Sequence, residues 1–347
     1  MDALIKHLEH RQDLEPREIT VAADFLLDEA ADAGKKARLL KALAAKRETA
    51  AEIAEFVSVF LDRAVKPSFH GKDFKGPTID VCGTGGDKLD LFNVSTTSMF
   101  VVAAAGATVI KHGNRGVTSK SGSSDVLGEL GIPLGLPSEK IGECLEKAGV
   151  GFLFAPMYHP AFKAVVPVRA QLAKEGVRTI FNLIGPLLNP AQPECQLVGV
   201  MDSGLCPIFA DILQRLGRDS AWVVNGTTED GRTVDEVSLM GASRICKSGR
   251  YQKLVDEEIH PADFGLDIAQ VSDLQGGDAV ENAEILKSIL NGKERGPKRE
   301  IVILNAAAAI ACAGLEDNLG SAIKKASTLI DEGEAMERLV RFQEAVV

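Results

Sequence analysis

The chain has 347 residues, 45% of them hydrophobic and 25% charged, and its formal net charge at pH 7 is −10. This composition is that of an ordinary globular protein, and the length suits a large domain together with a smaller one. An acidic chain repels polyanions, which argues against broad electrostatic binding to nucleic acid or to anionic membranes. The six cysteines form no CxxC pair and show no zinc-ligand spacing, so reduced thiols in a cytoplasmic protein are expected. No apolar run reaches ~18 residues, and we expect neither a signal peptide nor a membrane anchor.

Residues 1–70 are predicted to form a small helical domain. Thr49 and Glu52 have the spacing of a capping box. From Ile53 to Leu61, apolar residues recur at i, i+3, i+4, i+7 and i+8, which is one face of a helix. Pro67 ends this helix. The apolar stripe is either core or a subunit interface, and the pattern does not separate the two.

From Pro77 onward, short β-branched runs alternate with glycine-rich loops and helical segments. This alternation is typical of a mostly parallel sheet with helices on both faces. Residues 71–347 are therefore predicted to form a larger α/β domain, interrupted by a helical return near 158–190. A hairpin is predicted over 242–256 and a buried helix over Asn305–Ala313. The predicted strands are Thr78–Cys82, Thr108–Lys111, Val150–Phe154, Gln196–Val200 and Ala221–Val224. Ligands of such sheets bind at the carboxyl ends of the strands.

A first glycine-rich loop, Gly83–Asp87, directly follows a predicted strand. Its glycines let the backbone approach a ligand and turn N–H groups toward an anion. Asn93, Ser95 or Thr96 would cap the next helix, whose positive N-terminus faces the same anion. The spacing is neither GxGxxG nor that of a P-loop. The loop therefore indicates a phosphate site of another kind, or else a plain turn from strand to helix.

A second loop, Lys111–Ser123, also follows a strand. Its thirteen residues include four cationic or potentially cationic side chains, four hydroxyls and three glycines. Cations neutralise phosphate charge, while hydroxyls and amides orient it. A solvated surface loop does not need this density of anion donors. The two loops together predict a pyrophosphate held from both sides.

The third candidate is the acidic pair Asp235-Glu236. On an extended segment, adjacent side chains point to opposite sides, so each carboxylate could contact a different magnesium ion. Magnesium bound to substrate phosphates normally takes only one or two protein carboxylates. Most Asp-Glu dipeptides are merely solvated, so this pair indicates a metal site only in combination with the two phosphate loops.

These segments resemble the anthranilate phosphoribosyltransferase family over nearly the whole chain. The resemblance extends through His159-Pro160-Ala161, Pro167-Val168-Arg169, Arg178–Asn182, Gly185-Pro186-Leu187 and Asn189-Pro190. It implies an α/β fold like that of the nucleoside phosphorylases and phosphoribosyltransferases, with a small all-helical domain beside the larger one. It also implies a homodimer formed through the helical part.

The resemblance also implies the ligands and the residues that bind them. Phosphoribosyl pyrophosphate would contact Gly83, Gly86, Asp87, Leu91, Asn93, Val94, Ser95, Thr96, Lys111, His112, Gly113, Asn114, Arg115, Gly116, Val117, Thr118, Ser119 and Ser123. Mg²⁺ would be bound by Ser95, Asp235 and Glu236. Anthranilate would contact Gly83, Asn114, His159 and Arg169, with the arginine suited to a carboxylate by its planar fork of donors.

The sequence departs from the family pattern at a few positions. Leu91 stands where the family usually has a threonine, so one hydroxyl contact to the phosphoribosyl group is lost. Thr118 replaces a serine and keeps the hydroxyl. The stretches 169–178 and 227–233 are longer than usual, and the first could shift Arg169.

The implied reaction is attack of the anthranilate amine on the anomeric carbon, with pyrophosphate leaving. An aromatic amine is uncharged at neutral pH and needs no base, so no catalytic acid or base is predicted, and His112 is expected to be structural or to line the site. One alternative is a pyrimidine nucleoside phosphorylase of related fold, which would not need Asp235 and Glu236 for metal. Another is a non-enzymatic relative that binds nucleic acid, which would have a degraded glycine loop and a basic face.

Overall fold

The computed structural model describes residues 1–116, 120–250 and 253–347. Three residues of the predicted second loop, Val117, Thr118 and Ser119, lie outside this part. The chain divides into two compact units. The helical unit comprises Met1–Lys66 and Pro156–Pro190, and the α/β unit comprises Pro67–Ala155 and Ala191–Val347.

The elements follow one another along the chain with short connections. The helices are α1 (Asp2–Glu9), α2 (Pro16–Leu27), α3 (Ala33–Lys46), α4 (Ala50–Asp62), α5 (Val94–Ala104), α6 (Ser123–Glu129), α7 (Ser138–Ala148), α8 (Ala155–Tyr158), α9 (Val166–Lys174), α10 (Leu205–Arg215), α11 (Val271–Leu274), α12 (Ala279–Leu290), α13 (Pro297–Cys312), α14 (Leu319–Asp331) and α15 (Glu334–Val346). The strands are β1 (Thr78–Gly83), β2 (Thr108–Gly113), β3 (Val150–Phe154), β4 (Cys195–Gly199), β5 (Ser220–Thr227), β6 (Thr233–Val234), β7 (Ser243–Gly249) and β8 (Val255–Ile259). Short 3-10 helices cover Pro160–Ala164, Ile180–Asn182, Gly185–Leu187 and Pro261–Phe264.

The predicted capping box opens α4. The Thr49 hydroxyl accepts from the Glu52 backbone at 3.2 Å, and the Glu52 carboxylate accepts from the Thr49 backbone at 2.9 Å. The apolar stripe of this helix is buried, and the Phe60 ring lies 5.2 Å from Phe162 and 5.6 Å from Phe181. Because these partners belong to the same unit, the stripe contributes to the core of the helical unit.

The helical return predicted near 158–190 consists of several short helices. The helix α8 ends at Tyr158, a 3-10 turn spans Pro160–Ala164, and α9 starts at Val166. Prolines lie in the first turns of the last two elements. Since proline lacks the N–H that a preceding helix would need, it starts a new element instead.

The α/β unit is built on one sheet with the strand order β3-β2-β1-β4-β5-β7-β8. The strands from β3 to β5 are parallel, which confirms the predicted mostly parallel sheet, while β7 and β8 are antiparallel. The hairpin predicted over 242–256 is this β7–β8 pair. No pattern in the sequence indicated β6, a two-residue strand that pairs with β5.

Both faces of this sheet are covered by helices. On one face, Trp222 and Val224 of β5 belong to the same buried cluster as residues of α5 and α13. The alternate residues of β5 point to the opposite face, where α10 packs on β5 and β7. The predicted buried helix is α13, which begins at Pro297, upstream of the predicted start. Within the described ranges, we find no helix with the length and apolarity needed to cross a bilayer.

Candidate functional site

The glycine-rich loops lie at one edge of the sheet, at the carboxyl ends of neighbouring parallel strands. Gly83 ends β1 and faces Gly199, which ends the adjacent β4. Gly113 ends β2 on the other side of β1. Because parallel strands share their direction, these ends meet at the edge where ligands of such sheets bind.

The first loop donates a backbone hydrogen bond to a carboxylate of the protein itself, that of Asp235. Gly85 and Gly86 have φ angles of +70° and +94°, a region that side chains other than glycine rarely adopt. In this conformation the Gly85 N–H donates to the carboxylate of Asp235 at 2.6 Å. A Cβ at Gly83 would lie only 2.4 Å from the same carboxylate oxygen, so glycine is required for the approach. One N–H of this loop thus donates to a carboxylate of the protein, and binding of a substrate phosphate by the loop stays a prediction.

The acidic pair lies in a bend directly after β6 rather than on the extended segment that we expected. Its backbone rests on the ends of two strands, where only glycine leaves room. A Cβ at Gly199 would lie 1.6 Å from the Asp235 carbonyl oxygen, and one at Gly226 would lie 2.6 Å from the Glu236 carbonyl oxygen. The sequence could not show this packing, because Gly199 and Gly226 are far from the pair along the chain.

The carboxylates of the pair are poorly solvated. Burial raises the pKa of Asp235 and Glu236 well above the ordinary value, and the negative charge of Asp87 raises the pKa of Asp235 further. Burial also raises the pKa of Asp87. In the part of the chain that the structure describes, no group of three or more His, Cys, Asp or Glu side chains could hold a metal ion alone. One or two carboxylates beside a phosphate-binding loop are nevertheless the donor set that Mg²⁺ takes when substrate phosphates complete its coordination.

A buried asparagine that the sequence analysis did not single out holds the backbone after the acidic pair. Asn305 on α13 is fully buried, and its side-chain oxygen accepts from the Val237 N–H at 2.8 Å. Its side-chain nitrogen donates to the Val237 carbonyl at 2.9 Å. The signal available in the sequence was one polar residue at the start of an alanine-rich run predicted to be buried.

The N-terminus of α5 supplies hydroxyls and is joined to β2 by a lysine. Lys111 is only 2% exposed, and its ammonium group donates to the Ser95 hydroxyl at 3.2 Å and to the Val81 carbonyl. Thr96 is buried, and its hydroxyl has no hydrogen-bond partner among the described residues. The Val94 side chain belongs to the core, so that residue is able to contact a ligand only through its backbone.

Asn93 occupies the N-cap position of α5, but its side chain does not cap the helix as predicted. Its oxygen accepts instead from the Asn282 side chain at 2.9 Å, and its nitrogen donates to the Ser121 carbonyl at 3.2 Å. Asn93 therefore connects α5 to the second loop and to α12.

The second loop is closed at its base by Asp125, another residue that the sequence analysis did not find. Its carboxylate accepts from the Gly116 N–H at 3.0 Å and from the Gly122 N–H at 2.9 Å. Asn114, Arg115 and Gly116, which lead up to the first of these two contacts, are exposed. Ser123 begins α6, and a Cβ at Gly113 would lie 2.8 Å from its hydroxyl oxygen. His112 is half-buried on β2, opposite Leu153 of β3.

Leu91 lies in a short antiparallel bridge with Gln275, and its half-buried side chain packs against the core of the α/β unit. An apolar side chain gains by this burial, whereas a hydroxyl would not. The family pattern has a threonine at this position; here leucine lacks its hydroxyl and packs against the core instead.

The remaining predicted residues belong to the helical unit. His159 is buried, its Nε2 lies 2.8 Å from the Leu188 carbonyl oxygen, and burial lowers its pKa. Arg169 on α9 donates to the Phe181 carbonyl at 3.4 Å, and its guanidinium carbon lies 5.3 Å from the centre of the Phe181 ring. Burial lowers the pKa of Arg169. Within residues 1–116, 120–250 and 253–347 this guanidinium forms no salt bridge, so it is a desolvated cation without an internal carboxylate.

Comparison with known proteins agrees with this architecture and decides the family. Residues 75–336 match the model of the glycosyl transferase family a/b domain, and residues 2–64 match that of its helical bundle domain. The chain is 41% identical to the anthranilate phosphoribosyltransferase of Herpetosiphon aurantiacus, over 99% of this chain and 98% of that protein. It is also 41% identical to the enzyme of the same name from Natronomonas pharaonis, over 99% of each. The chain belongs to the anthranilate phosphoribosyltransferase family.

Solved structures of anthranilate phosphoribosyltransferases show the same fold. The enzyme from Thermus thermophilus superimposes with a TM-score of 0.89 at 36% identity, covering 100% of this chain and 99% of that one. The enzyme from Saccharomyces cerevisiae, in complex with phosphoribosyl pyrophosphate and Mg, superimposes with a TM-score of 0.79 at 27% identity, covering 95% of this chain and 92% of that one. The predicted fold class and family are thereby confirmed.

Proposed function

We propose that this chain transfers the phosphoribosyl group of phosphoribosyl pyrophosphate to the amine of anthranilate, releasing pyrophosphate, as a step of tryptophan biosynthesis. The observation that supports this best is the meeting of an anion-binding glycine loop, a buried lysine and an acidic pair at one edge of the sheet. Membership of the family assigns the same reaction. The relatives named above carry one activity, so neither a nucleoside phosphorylase nor a nucleic-acid-binding protein is favoured.

The pyrophosphate would be stabilised by preorganised charge and dipoles. Hydrogen bonds within the protein hold Lys111 and the Gly83–Asp87 loop in place before the substrate binds, so little reorganisation would be needed as negative charge develops on the leaving group. The exposed Asn114, Arg115 and Gly116 would close over the phosphates from the second loop, together with Ser119 and Ser123.

Mg²⁺ fits the residues present. Ser95, Asp235 and Glu236 would bind it, since desolvated carboxylates next to one another are stabilised by a divalent cation. The bound ion would neutralise part of the pyrophosphate charge. This assignment rests on the donor set and on the family, and the yeast relative has been crystallised with Mg.

Anthranilate recognition would use Arg169, with His159, Gly83 and Asn114. The Arg169 guanidinium is desolvated and lacks a carboxylate partner among the described residues. A carboxylate ligand would supply one, through two parallel hydrogen bonds. The His159 ring stays neutral, because burial lowers its pKa.

The amine of anthranilate needs no base, so the residues act by position and charge. Orienting the amine against the anomeric carbon removes the entropic cost of the encounter. Excluding water strengthens each interaction with the phosphates. Neither role requires a side chain to act as a general acid or base at the start of the reaction.

We also propose a cytoplasmic homodimer formed through the helical unit. Reduced thiols agree with such a compartment, since the cysteines of the described chain are free and all except Cys82 are buried. Light scattering after size exclusion checks the subunit number. A monomer at micromolar concentration would contradict the proposed dimer.

The decisive experiment mixes the protein with anthranilate, phosphoribosyl pyrophosphate and MgCl₂ and follows the loss of anthranilate fluorescence. We expect turnover that stops with excess chelator and returns with Mg²⁺. The double variant Asp235→Ala/Glu236→Ala should lose turnover and keep its circular dichroism spectrum. The matched control is Glu229→Ala/Asp230→Ala, an exposed acidic pair just upstream, which should behave like wild type. Full turnover in chelator would refute the metal assignment, and phosphorolysis of thymidine or uridine without Mg²⁺ would favour the phosphorylase.

A further inference from the structure

We propose that Asn282 on α12 is a positioning residue that determines which end of the Asn93 amide faces the phosphoribosyl pyrophosphate site. Neither the family pattern nor the loop motifs point to Asn282. This inference rests on the proposed function, because it concerns binding of that substrate.

The geometry fixes the amide of Asn282 first. Asn282 is 3% exposed, and its side-chain oxygen accepts from the Gly277 N–H at 2.9 Å. Its nitrogen donates to the Gly277 carbonyl at 3.3 Å and to the Asn93 side-chain oxygen at 2.9 Å. A flipped Asn282 amide would place an N–H against the Gly277 N–H and an oxygen against the carbonyl. Only the observed orientation satisfies both groups.

The orientation of Asn93 follows from this. Its side-chain oxygen is engaged by Asn282, so its nitrogen is directed to the Ser121 carbonyl, 3.2 Å away, at the base of the second loop. An amide nitrogen carries two N–H donors, and one of them is used by Ser121. The other has no acceptor among the described residues and would donate to a phosphate or ribose oxygen, whereas a flipped amide would present its oxygen and repel a phosphate.

The same contact keeps Asn93 from capping α5. An asparagine at the N-cap normally accepts from the N–H groups of the first turn, but this side chain makes no such bond. An Asn93 released from Asn282 could turn inward, cap the helix and compete with a bound anion for those groups. Loss of the Asn93 donor and competition for the N–H groups of α5 would both weaken binding of phosphoribosyl pyrophosphate.

The test is a double-mutant cycle on the full-length protein. Asn282→Asp keeps the acceptor for Gly277 but replaces the donor to Asn93 by an acceptor, which should flip the Asn93 amide. We expect the dissociation constant for phosphoribosyl pyrophosphate with Mg²⁺, measured by calorimetry, to rise about tenfold or more, the range of one hydrogen bond to a charged group. The Michaelis constant for this substrate should rise likewise, while the Michaelis constant for anthranilate stays within twofold of wild type.

In an Asn93→Ala background, Asn282→Asp should cause little further loss, because the side chain through which it acts is absent. Losses that multiply would overturn the proposal, since the new charge or a structural defect would then act without Asn93. The neutral variant Asn282→Ala should weaken binding in the same direction, and an effect seen only with the charged variant would also overturn it.

Asn291→Asp is the matched control, because it makes the same chemical change at the exposed C-terminal end of the same helix. It should bind like wild type, and thermal unfolding of every variant checks that the fold is intact. Wild-type protein that fails to bind phosphoribosyl pyrophosphate would refute the proposed function and this inference together. Normal wild-type binding with an additive cycle would refute only the role of Asn282.

Discussion

Gly199→Ala should move the acidic pair without removing a polar group. A Cβ at this position would lie 1.6 Å from the Asp235 carbonyl oxygen and 2.4 Å from its carbonyl carbon. Real Cβ atoms essentially never come within 3.0 Å of such neighbours, so one backbone must shift by about 1.4 Å. Gly199 lies on β4, between two parallel partner strands, so we expect the segment of Asp235 to give way.

The shift should be seen in activity and in stability. It would break the 2.6 Å hydrogen bond from the Gly85 N–H to the Asp235 carboxylate and strain the clamp of Asn305 on Val237. Overpacking of this kind costs about 1–3 kcal/mol, and a displacement of about 1 Å near the chemistry can lower turnover about 100-fold. The assays are anthranilate fluorescence at saturating substrates and Mg²⁺, and urea unfolding followed by circular dichroism.

A second glycine provides the control for this change. Gly128 lies in α6, and a Cβ there would meet nothing within 4 Å. Gly128→Ala should leave turnover unchanged and stabilise the protein by about 0.5–1 kcal/mol, because alanine loses less backbone entropy than glycine in a helix. If Gly199→Ala keeps wild-type turnover and the wild-type urea midpoint, the close packing of the acidic pair on β4 is refuted.

Three further changes test separate parts of the molecule. Leu91→Thr should lower the Michaelis constant for phosphoribosyl pyrophosphate up to about tenfold, as one hydrogen bond to a charged group allows, and an unchanged constant would contradict this. Arg169→Ala should raise the Michaelis constant for anthranilate strongly and leave that for phosphoribosyl pyrophosphate nearly unchanged, since removing one partner of a desolvated charge pair costs about 2–5 kcal/mol. Aniline, which lacks the carboxylate, should react equally poorly with the variant and with wild type. Unaltered anthranilate kinetics would refute the role of Arg169. Lys46→Met leaves the Glu52 carboxylate, 2.6 Å away and 3% exposed, without its buried cation, so urea unfolding should show a loss of about 3–5 kcal/mol. The control Lys35→Met removes an exposed pair with Asp2 and should leave the free energy of unfolding nearly unchanged, so equal losses in the two variants would contradict the prediction.

The sequence predicts those features that depend on neighbours along the chain. The capping box of Thr49 and Glu52, the five parallel strands and the buried helix α13 each arise from a local pattern of caps, β-branched runs or alanines. The glycine loop after β1 is also predictable from local sequence, because its positive φ angles need glycine whatever the rest of the fold. These features were predicted correctly, although α13 begins well upstream of its predicted start.

Residues that act on the site from a distance were not predictable in this way. Asn305 and Asp125 each hold a loop through two hydrogen bonds, and Asn282 makes three, yet none of these residues lies in a recognisable motif. A local pattern also misled at Asn93, which occupies the N-cap position but gives its side chain to Asn282. Propensity favours the cap, and the tertiary contact overrides it.

The charges at the edge of the sheet supply a physical reason for a divalent cation in the working site. Burial raises the pKa of Asp87, Asp235 and Glu236, and the negative charge of Asp87 raises the pKa of Asp235 and Glu236 further. The cation that opposes the rise for Glu236 is Lys111, whose ammonium group is already engaged with Ser95 and Val81. A pyrophosphate placed beside these carboxylates would add further negative charge to a poorly solvated site, and like charges in such surroundings repel strongly. A divalent cation bound by Asp235 and Glu236 would turn that repulsion into attraction, so we expect the acidic pair to favour substrate binding only when the metal is present.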